Sequence, residues 1–367
     1  MDWIGESIAE TLRTAFAARG VFTLERDRTS EAYQRLRLRE RTELTEASML
    51  KVGEVLDAEQ IVHGTFAFVP AASGSGGSKG SLKIRARVSD RRHLRQSAAF
   101  EESGAIEDLA TLESHLAWQA LTVVAPARAP AEAQFRSLRP AVPLDVLEDY
   151  MRGLLAAAPE QKEKYFAQAA RLDPDFSPPA FELGKIHFEK KEYREAADWL
   201  ARVGTSENHY RDATFLLGYA RYQAGDFEAA RKAFQAIAEK VPIATVWNNL
   251  GAAESRLNLP QAAETFRKAL DQDATDPDYH FNVGYALFKK GDFTAAADRF
   301  RAVLDRDPND QMATLLLGRC LKKQGLRPVT ADARLQALER LKDSYEERVY
   351  FQLKSILESP PASEPRQ

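Results

Sequence analysis

The sequence predicts an α+β two-domain chain: a small mixed α/β N-terminal domain followed by an all-α superhelical solenoid. Two observations carry that reading. An apolar residue followed by glycine returns at Leu183-Gly184, Leu217-Gly218, Leu250-Gly251, Val283-Gly284 and Leu317-Gly318, at intervals of 34, 33, 33 and 34 residues, the self-similarity of stacked repeats. The first 124 residues lack that period and mix helical stripes with strict apolar–polar alternation.

Composition bounds the rest. A chain of 367 residues, 44% hydrophobic and 29% charged, has the length of two domains and the balance of a globular protein. A formal net charge of -3 gives no reason to expect nucleic acid or an anionic membrane as partner. The single cysteine, Cys320, excludes an intramolecular disulfide and a cysteine-rich metal site; within "LLLGRCLKK" it reads as a packed small side chain. No stretch reaches the roughly 18 apolar residues of a spanning helix.

Other positions keep step with the glycines. Ala196, Ala230, Ala263 and Ala296 lie twelve residues beyond the first four. Leu200, Phe234 and Phe300 lie sixteen beyond, with Phe266 one early, and Pro242 and Pro308 close their units. Glycine and alanine permit two helices to approach closely, Phe234 is expected to fill the gap to the neighbouring unit, and proline cannot continue a helix. "AGDFEAA" and "KGDFTAA" supply turn glycines, Gly225 and Gly291, each followed by an Asp suited to an N-cap. On these residues the region resembles the tetratricopeptide repeat (TPR), a 34-residue helix-turn-helix. The array is expected over 144–326 as about five to six repeats. A shortened first one keeps Gly153, Phe166, Ala169 and Pro174. Over 327–358 the stripe Leu335, Leu338, Leu341 and Tyr345 predicts a modified second helix and then a capping helix at 346–358; 359–367 reads as a disordered tail.

The resemblance implies that the first helix of each pair lines a concave face. Carried over by position, the groove residues are Phe181, Lys185 and Phe188; Phe215, Tyr219 and Tyr222; Asn248, Asn249 and Arg256; Phe281, Asn282, Tyr285 and Phe288; and Arg319 and Lys322. Asn249 and Asn282 would bond an extended backbone, the aromatics would hold apolar side chains, and Arg256, Arg319 and Lys322 would meet a carboxylate. The bland alternative is that several of these aromatics merely pack between helices. The Lys/Asn pattern of a chaperone-binding carboxylate clamp is incomplete.

Residues 1–124 open on a helix with the stripe Ile4, Ile8, Leu12 and Phe16, ending at Gly20. A strand "VFTLE", helices over "SEAYQRLRLR" and "LTEASMLKVGEVLDA" (Thr45 as N-cap) and a strand "EQIVHGTFAFVP" follow. In "SLKIRARVSD", Leu82, Ile84, Ala86 and Val88 alternate with Lys83, Arg85 and Arg87, as in a half-buried strand. "LRQSAAFEE" adds strand character, and "AIEDLATLESHLAWQAL" closes the domain as a helix. Gly64 within a strand pattern reads as a bulge or a close helix approach. On "DWIGESIAETL", "VLDAEQIVHGTF" and "RARVSDRR" this part resembles the envelope-associated α/β domain of TolB, FlgO-like and CsgG-like proteins. In that family the first helix follows a β-strand. The resemblance therefore implies a strand and a secretion signal upstream of Met1 and a periplasmic or cell-envelope location; the alternative is a chain complete as given, in the cytoplasm. The Ala/Pro-rich stretch 125–143 reads as a semi-extended linker.

Catalytic signals are weak. In "SGSGGSKGS" Lys79 is flanked by Ser78 and Gly80, not the Gly-Lys-Ser/Thr of a phosphate loop. The six histidines form no His-x-x-x-His pair. No nucleophile–base arrangement stands out, and neither cofactor nor metal is expected. The function implied is a non-enzymatic TPR scaffold or adaptor that binds a protein or peptide segment in its concave groove, in a cell-envelope assembly. Its N-terminal domain would dock an envelope component or, as a homo-oligomer, another copy. The alternative is a regulatory or sensor protein whose N-terminal domain binds a small ligand and whose repeats relay to a partner.

Overall fold

The computed structural model describes residues 2–24, 26–39, 44–71, 79–137, 141–325, 338–346 and 350. The chain divides into two compact units, Met1–Pro179 and Ala180–Gln367.

The first unit begins with α1 (Asp2–Ala17), α2 (Arg26–Arg35) and α3 (Glu46–Val55), continues through β1 (Gln60–Pro70), β2 (Gly80–Asp90), β3 (Arg95–Gln96) and β4 (Phe100–Ala105), and returns to helix in α4 (Leu109–Val124) and α5 (Glu132–Ser137). β2 is central. Antiparallel β1 lies along one edge, from Gln60↔Asp90 to Pro70↔Gly80. β4 and then β3 occupy the other. The alternation works as the sequence predicts: Leu82, Ile84, Ala86 and Val88 are buried, while Lys83 and Arg85 turn outward to Glu101 at 3.2 and 3.1 Å. α4 covers the buried face of β2 and β4 and packs on α1, where Ala15, Phe16, Ala117, Ala120 and Leu121 form one cluster. Thr45 caps α3 by accepting from the Ser48 amide at 3.2 Å.

Three expectations need correction here. "VFTLE" is no strand over Val21–Leu24, and Glu25 lies outside the described residues. Val21 instead donates its N–H to the Phe16 carbonyl at 3.0 Å, and with Gly20 at φ +69° this is the turn that terminates α1. Gly64 is neither a bulge nor a helix contact. The register runs through it unbroken, opposite Ala86, and a Cβ there would fall 2.2 Å from the Arg85 carbonyl. The stretch after 124 is not a free spacer. Its one aromatic residue, Phe135, is 2% exposed and joins the α1–α4 cluster, and Trp118 donates to the Pro130 carbonyl at 3.0 Å. The unit closes with the shortened repeat, α6 (Leu144–Leu155) and α7 (Pro159–Leu172). α6 packs on α1, and Arg26 donates to the Leu154 carbonyl at 3.1 Å.

The second unit is helix pairs: α8 (Pro178–Glu189) with α9 (Tyr193–Leu200), α10 (Tyr210–Gln223) with α11 (Phe227–Ala238), α12 (Ala244–Arg256) with α13 (Ala262–Gln272), α14 (Pro277–Lys290) with α15 (Phe293–Leu304), and then α16 (Gln311–Leu321). The repeat glycines let the pairs close. A Cβ on Gly184 would meet Leu200 at 2.5 Å, on Gly218 the Phe234 ring at 2.9 Å, and on Gly251 the Phe266 ring at 2.7 Å. Phe234 thus seats on the glycine of its own pair, where the sequence reading placed it in the gap to the next. Gly318 differs: among the described residues nothing lies within 4 Å of a Cβ there. The paired helix expected after α16 includes Leu335, which lies outside the described residues, and Leu338, Leu341 and Tyr345, which are not helical; 338–346 form no regular element. The capping helix at 346–358 falls mostly outside the described residues.

The turns inside the pairs carry a further expectation. Gly225 and Gly291 adopt φ +87° and +83°, and Asp226 and Asp292 cap the helices that follow by accepting from Ala229 and Ala295 at 3.1 and 3.2 Å. At the equivalent turn before α9, Lys191 holds φ +62°, a conformation a Cβ disfavours by about 1 kcal/mol. Lys191→Gly is expected to stabilise the chain by about that amount, read as a rise of a few degrees in the thermal midpoint; a fall would contradict it.

Candidate functional site: the face lined by α10, α12 and α14

Pairing puts α10, α12 and α14 side by side and turns onto one face a set of polar side chains that are nonetheless buried. Asn248, Asn249 and Asn282 are each 0% exposed. What buries them is the chain's own segment 338–345.

The asparagines hold its main chain. Asn282 accepts from the Arg340 N–H at 2.9 Å and donates to the Arg340 carbonyl at 2.7 Å. Asn249 does the same for Lys342, accepting its N–H at 2.9 Å and donating to its carbonyl at 2.7 Å. Asn248 adds a donor to the Arg340 carbonyl at 2.8 Å and accepts from Asn282 at 2.7 Å. An amide side chain carries one acceptor and two donors, so it can bond both polar groups of one residue. Alternate residues held from the same side is the period of an extended chain.

The side chains are met by charge of opposite sign. Glu339, its side chain 0% exposed, accepts from Ser255 Oγ at 2.6 Å, lies 3.7 Å from Lys289 Nζ and accepts from the Tyr222 hydroxyl at 3.5 Å. Arg340 reaches Asp278 at 3.0 Å and Asp310 at 2.6 Å, with its guanidinium carbon 3.7 Å from the centre of the Phe281 ring, a cation–π contact. Lys342 is 2.7 Å from Asp276 and 2.6 Å from Asp278. Tyr345 stacks on Phe215, centroids 4.9 Å apart. Leu338 and Leu341 pack against the hydrophobic cluster that runs from Phe215 to Leu316.

Titration follows this geometry. Burial acts to raise the Asp278 carboxyl, but Lys342 and Arg340 outweigh it and hold the group below its ordinary value. Burial acts to lower Lys342, and Asp276 and Asp278 outweigh it, holding the ammonium above its ordinary value. Lys289 moves the other way, lowered chiefly by burial. The depressed carboxyl contributes docking stability above the ordinary carboxylate pKa that is lost as pH falls through the lowered one; the raised lysine contributes stability below its ordinary pKa that is lost as pH rises through the raised one. Docking is therefore expected to hold at neutral pH and weaken below about pH 4. The Arg340 amide resonance followed from pH 7 to pH 3 checks this; a shift unchanged across the range would contradict it.

Not every groove residue named from the sequence meets the segment. Phe215, Tyr222, Asn248, Asn249, Phe281 and Asn282 do. Tyr285 is fully buried beside Phe281, centroids 6.3 Å apart. Phe288 packs edge-on to Phe293. Phe188 and Tyr219 pack on each other, and Phe181 stacks on His209 with Lys185 above it. The three cations expected to meet a ligand's carboxylate are placed as follows. Arg256 lies over the Phe227 and Tyr222 rings, Arg319 points to the Gly325 carbonyl, and Lys322 is exposed at the end of α16. Toward the chain's own segment it is acids that meet cations: Asp278 and Asp310 meet Arg340, and Asp276 and Asp278 meet Lys342. Cys320 is buried and its thiol is pushed up to about 11 by that burial, which suits packing. Among the described residues there is no cluster of three or more metal-ligating side chains, and no helix is long and apolar enough to cross a membrane.

This is a stacked array of helix pairs whose first helices hold an extended segment. Residues 215–279 and 281–347 match the family model of the tetratricopeptide repeat. Similar solved structures include MamA 41-end from Desulfovibrio magneticus RS-1, at 21% identity and TM-score 0.40 over 45% of this chain and 95% of that one. YrrB, titled a TPR protein with an unusual peptide-binding site, matches at 17% and 0.37 over 52% and 97%. Pseudomonas aeruginosa pilF matches at 20% and 0.38 over 53% and 90%. No curated protein matches in sequence. The N-terminal α/β domain is present, without an identified family.

Proposed function

We propose that the chain is a non-enzymatic adaptor that binds an extended segment of another protein across α10, α12 and α14. The observation that carries this is the paired bonding of Asn249 and Asn282 to both main-chain groups of alternate residues. Main-chain bonds give affinity to any extended segment, and the flanking side-chain pockets give selectivity. The envelope role belongs to the same proposal, with the N-terminal domain docking an envelope component; its support is the resemblance of "DWIGESIAETL" and "VLDAEQIVHGTF" to TolB-type domains, and fractionation of cells tests it.

The binding test uses the full chain and a phage-displayed peptide library. Both the wild type and a form with Arg340→Ser and Lys342→Ser, which vacates the face, are panned. Enriched peptides should lose capture when Asn249→Ala and Asn282→Ala are added, with circular dichroism unchanged. If every enriched peptide binds regardless of the asparagines, the groove is not the binding site and the proposal fails.

A further inference from the structure

Resting on the peptide-binding reading, we propose that the face selects one ligand chemistry and that residues 338–345 hold it shut as a built-in competitor. The ligand is an extended protein segment with an acidic residue, then Arg, an apolar residue and Lys, and an aromatic ring three positions later. Opening requires displacement of the chain's own copy of that pattern, "LERLKDSY".

Selection follows from buried charge. Asp310 is 8% exposed and Asp278 half-buried, and both face Arg340; Asp276 and Asp278 converge on Lys342. Buried carboxylates left without a cation are costly. An acidic or apolar segment would leave buried Asp310 and the partly buried Asp276 and Asp278 uncompensated, which disfavours wrong ligands alongside the contacts that attract right ones. One step earlier in the segment the sign inverts, where Lys289 and Ser255 require an acid. A sequence shifted by one residue places like charges together, so the register is fixed as well.

Displaceability follows from the segment's own composition. Leu, Glu, Arg and Lys are strong helix formers, and "LERLKD" is here non-helical. The face imposes a conformation that the local sequence resists, which weakens docking relative to a segment free of that preference. Tethering works the other way. A tethered segment competes at an effective concentration of about a millimolar. For an intrinsic Kd of about 10 μM, that tether weakens an outside peptide of equal affinity by about 100-fold.

The test is a fluorescent peptide, Leu338–Tyr345 as written, titrated by anisotropy into the full chain. It should bind the Arg340→Ser, Lys342→Ser form at least ten-fold more tightly than the wild type. A peptide with its Arg changed to Glu should lose at least ten-fold on that form. If circular dichroism shows the double variant misfolded, Tyr345→Ala replaces it, since it removes the ring that stacks on Phe215. Equal binding to wild type and variant overturns the competitor role and leaves the peptide-binding reading intact. Library peptides that need Asn282 yet lack the charged pattern overturn the selectivity. Failure of all peptides overturns the underlying reading. Light scattering that shows dimers dissolved by the double variant would assign the segment to a second copy and overturn closure within one chain.

Discussion

Asn282→Leu is expected to release residues 338–345 from the repeat face. The change keeps the side chain's size and removes the acceptor for the Arg340 N–H and a donor to its carbonyl. It also removes the bond that orients Asn248. A main-chain group buried without a partner costs about 1–3 kcal/mol; the Arg340 carbonyl keeps its bond from Asn248, so the orphaned Arg340 N–H weakens docking by about 2 kcal/mol, or roughly 30-fold. The segment carries its own reporter. Arg340 and Lys342 are trypsin sites locked by asparagine bonds on their main chain and by carboxylates on their side chains. Cleavage that tracks the open population should accelerate about 30-fold in Asn282→Leu while helix content is retained. Unchanged cleavage would mean that the asparagine bonds do not hold the segment.

Gly251→Val should be strongly destabilising. Even a Cβ at 251 would sit 2.7 and 2.9 Å from the Phe266 ring, which is itself 0% exposed and has nowhere to move. Overpacking of this kind costs about 3 kcal/mol, and the Asn248–Asn249 pair on the same helix would shift with it. The equivalent change in the last repeat has the opposite sign. Among the described residues nothing lies within 4 Å of a Cβ at Gly318, so Gly318→Ala should gain about 1 kcal/mol of helix propensity. Thermal midpoints of the two variants should move in opposite directions. Equal losses would show that the glycines are not there for close approach.

The repeat was legible because its signal is steric and local. Gly218 against Phe234 and Gly251 against Phe266 recur at nearly one spacing, sixteen and fifteen residues, and no larger residue fits the glycine positions. The alternation of β2 was legible for the same kind of reason. The occupied face was half legible. Asn249 and Asn282 stood out by position, but the acids opposite Arg340 and Lys342 did not, because two of them hold helix starts as well. Asp276 Oδ1 accepts from Asp278 N while Oδ2 meets Lys342; Asp310 Oδ1 accepts from Ala313 N while Oδ2 meets Arg340. Sequence shows the cap and hides the second use. The segment itself was misread for a related reason. Leu338, Leu341 and Tyr345 have helical spacing, and only partners some sixty to ninety residues back, such as Asn282 and Asn249, turn them into an extended strap.

That strap alters how the array should come apart. A solenoid is stabilised by contacts between adjacent repeats, so its ends ordinarily peel first and its middle later. Here residues 340–345 run back along the stack, Arg340 on α14, Lys342 on α12 and Tyr345 on α10. It laces three repeats with a single thread. These repeats cannot unzip independently while it is in place, so melting becomes one cooperative event. The price is a closure over long sequence separation, which slows the final stage of folding.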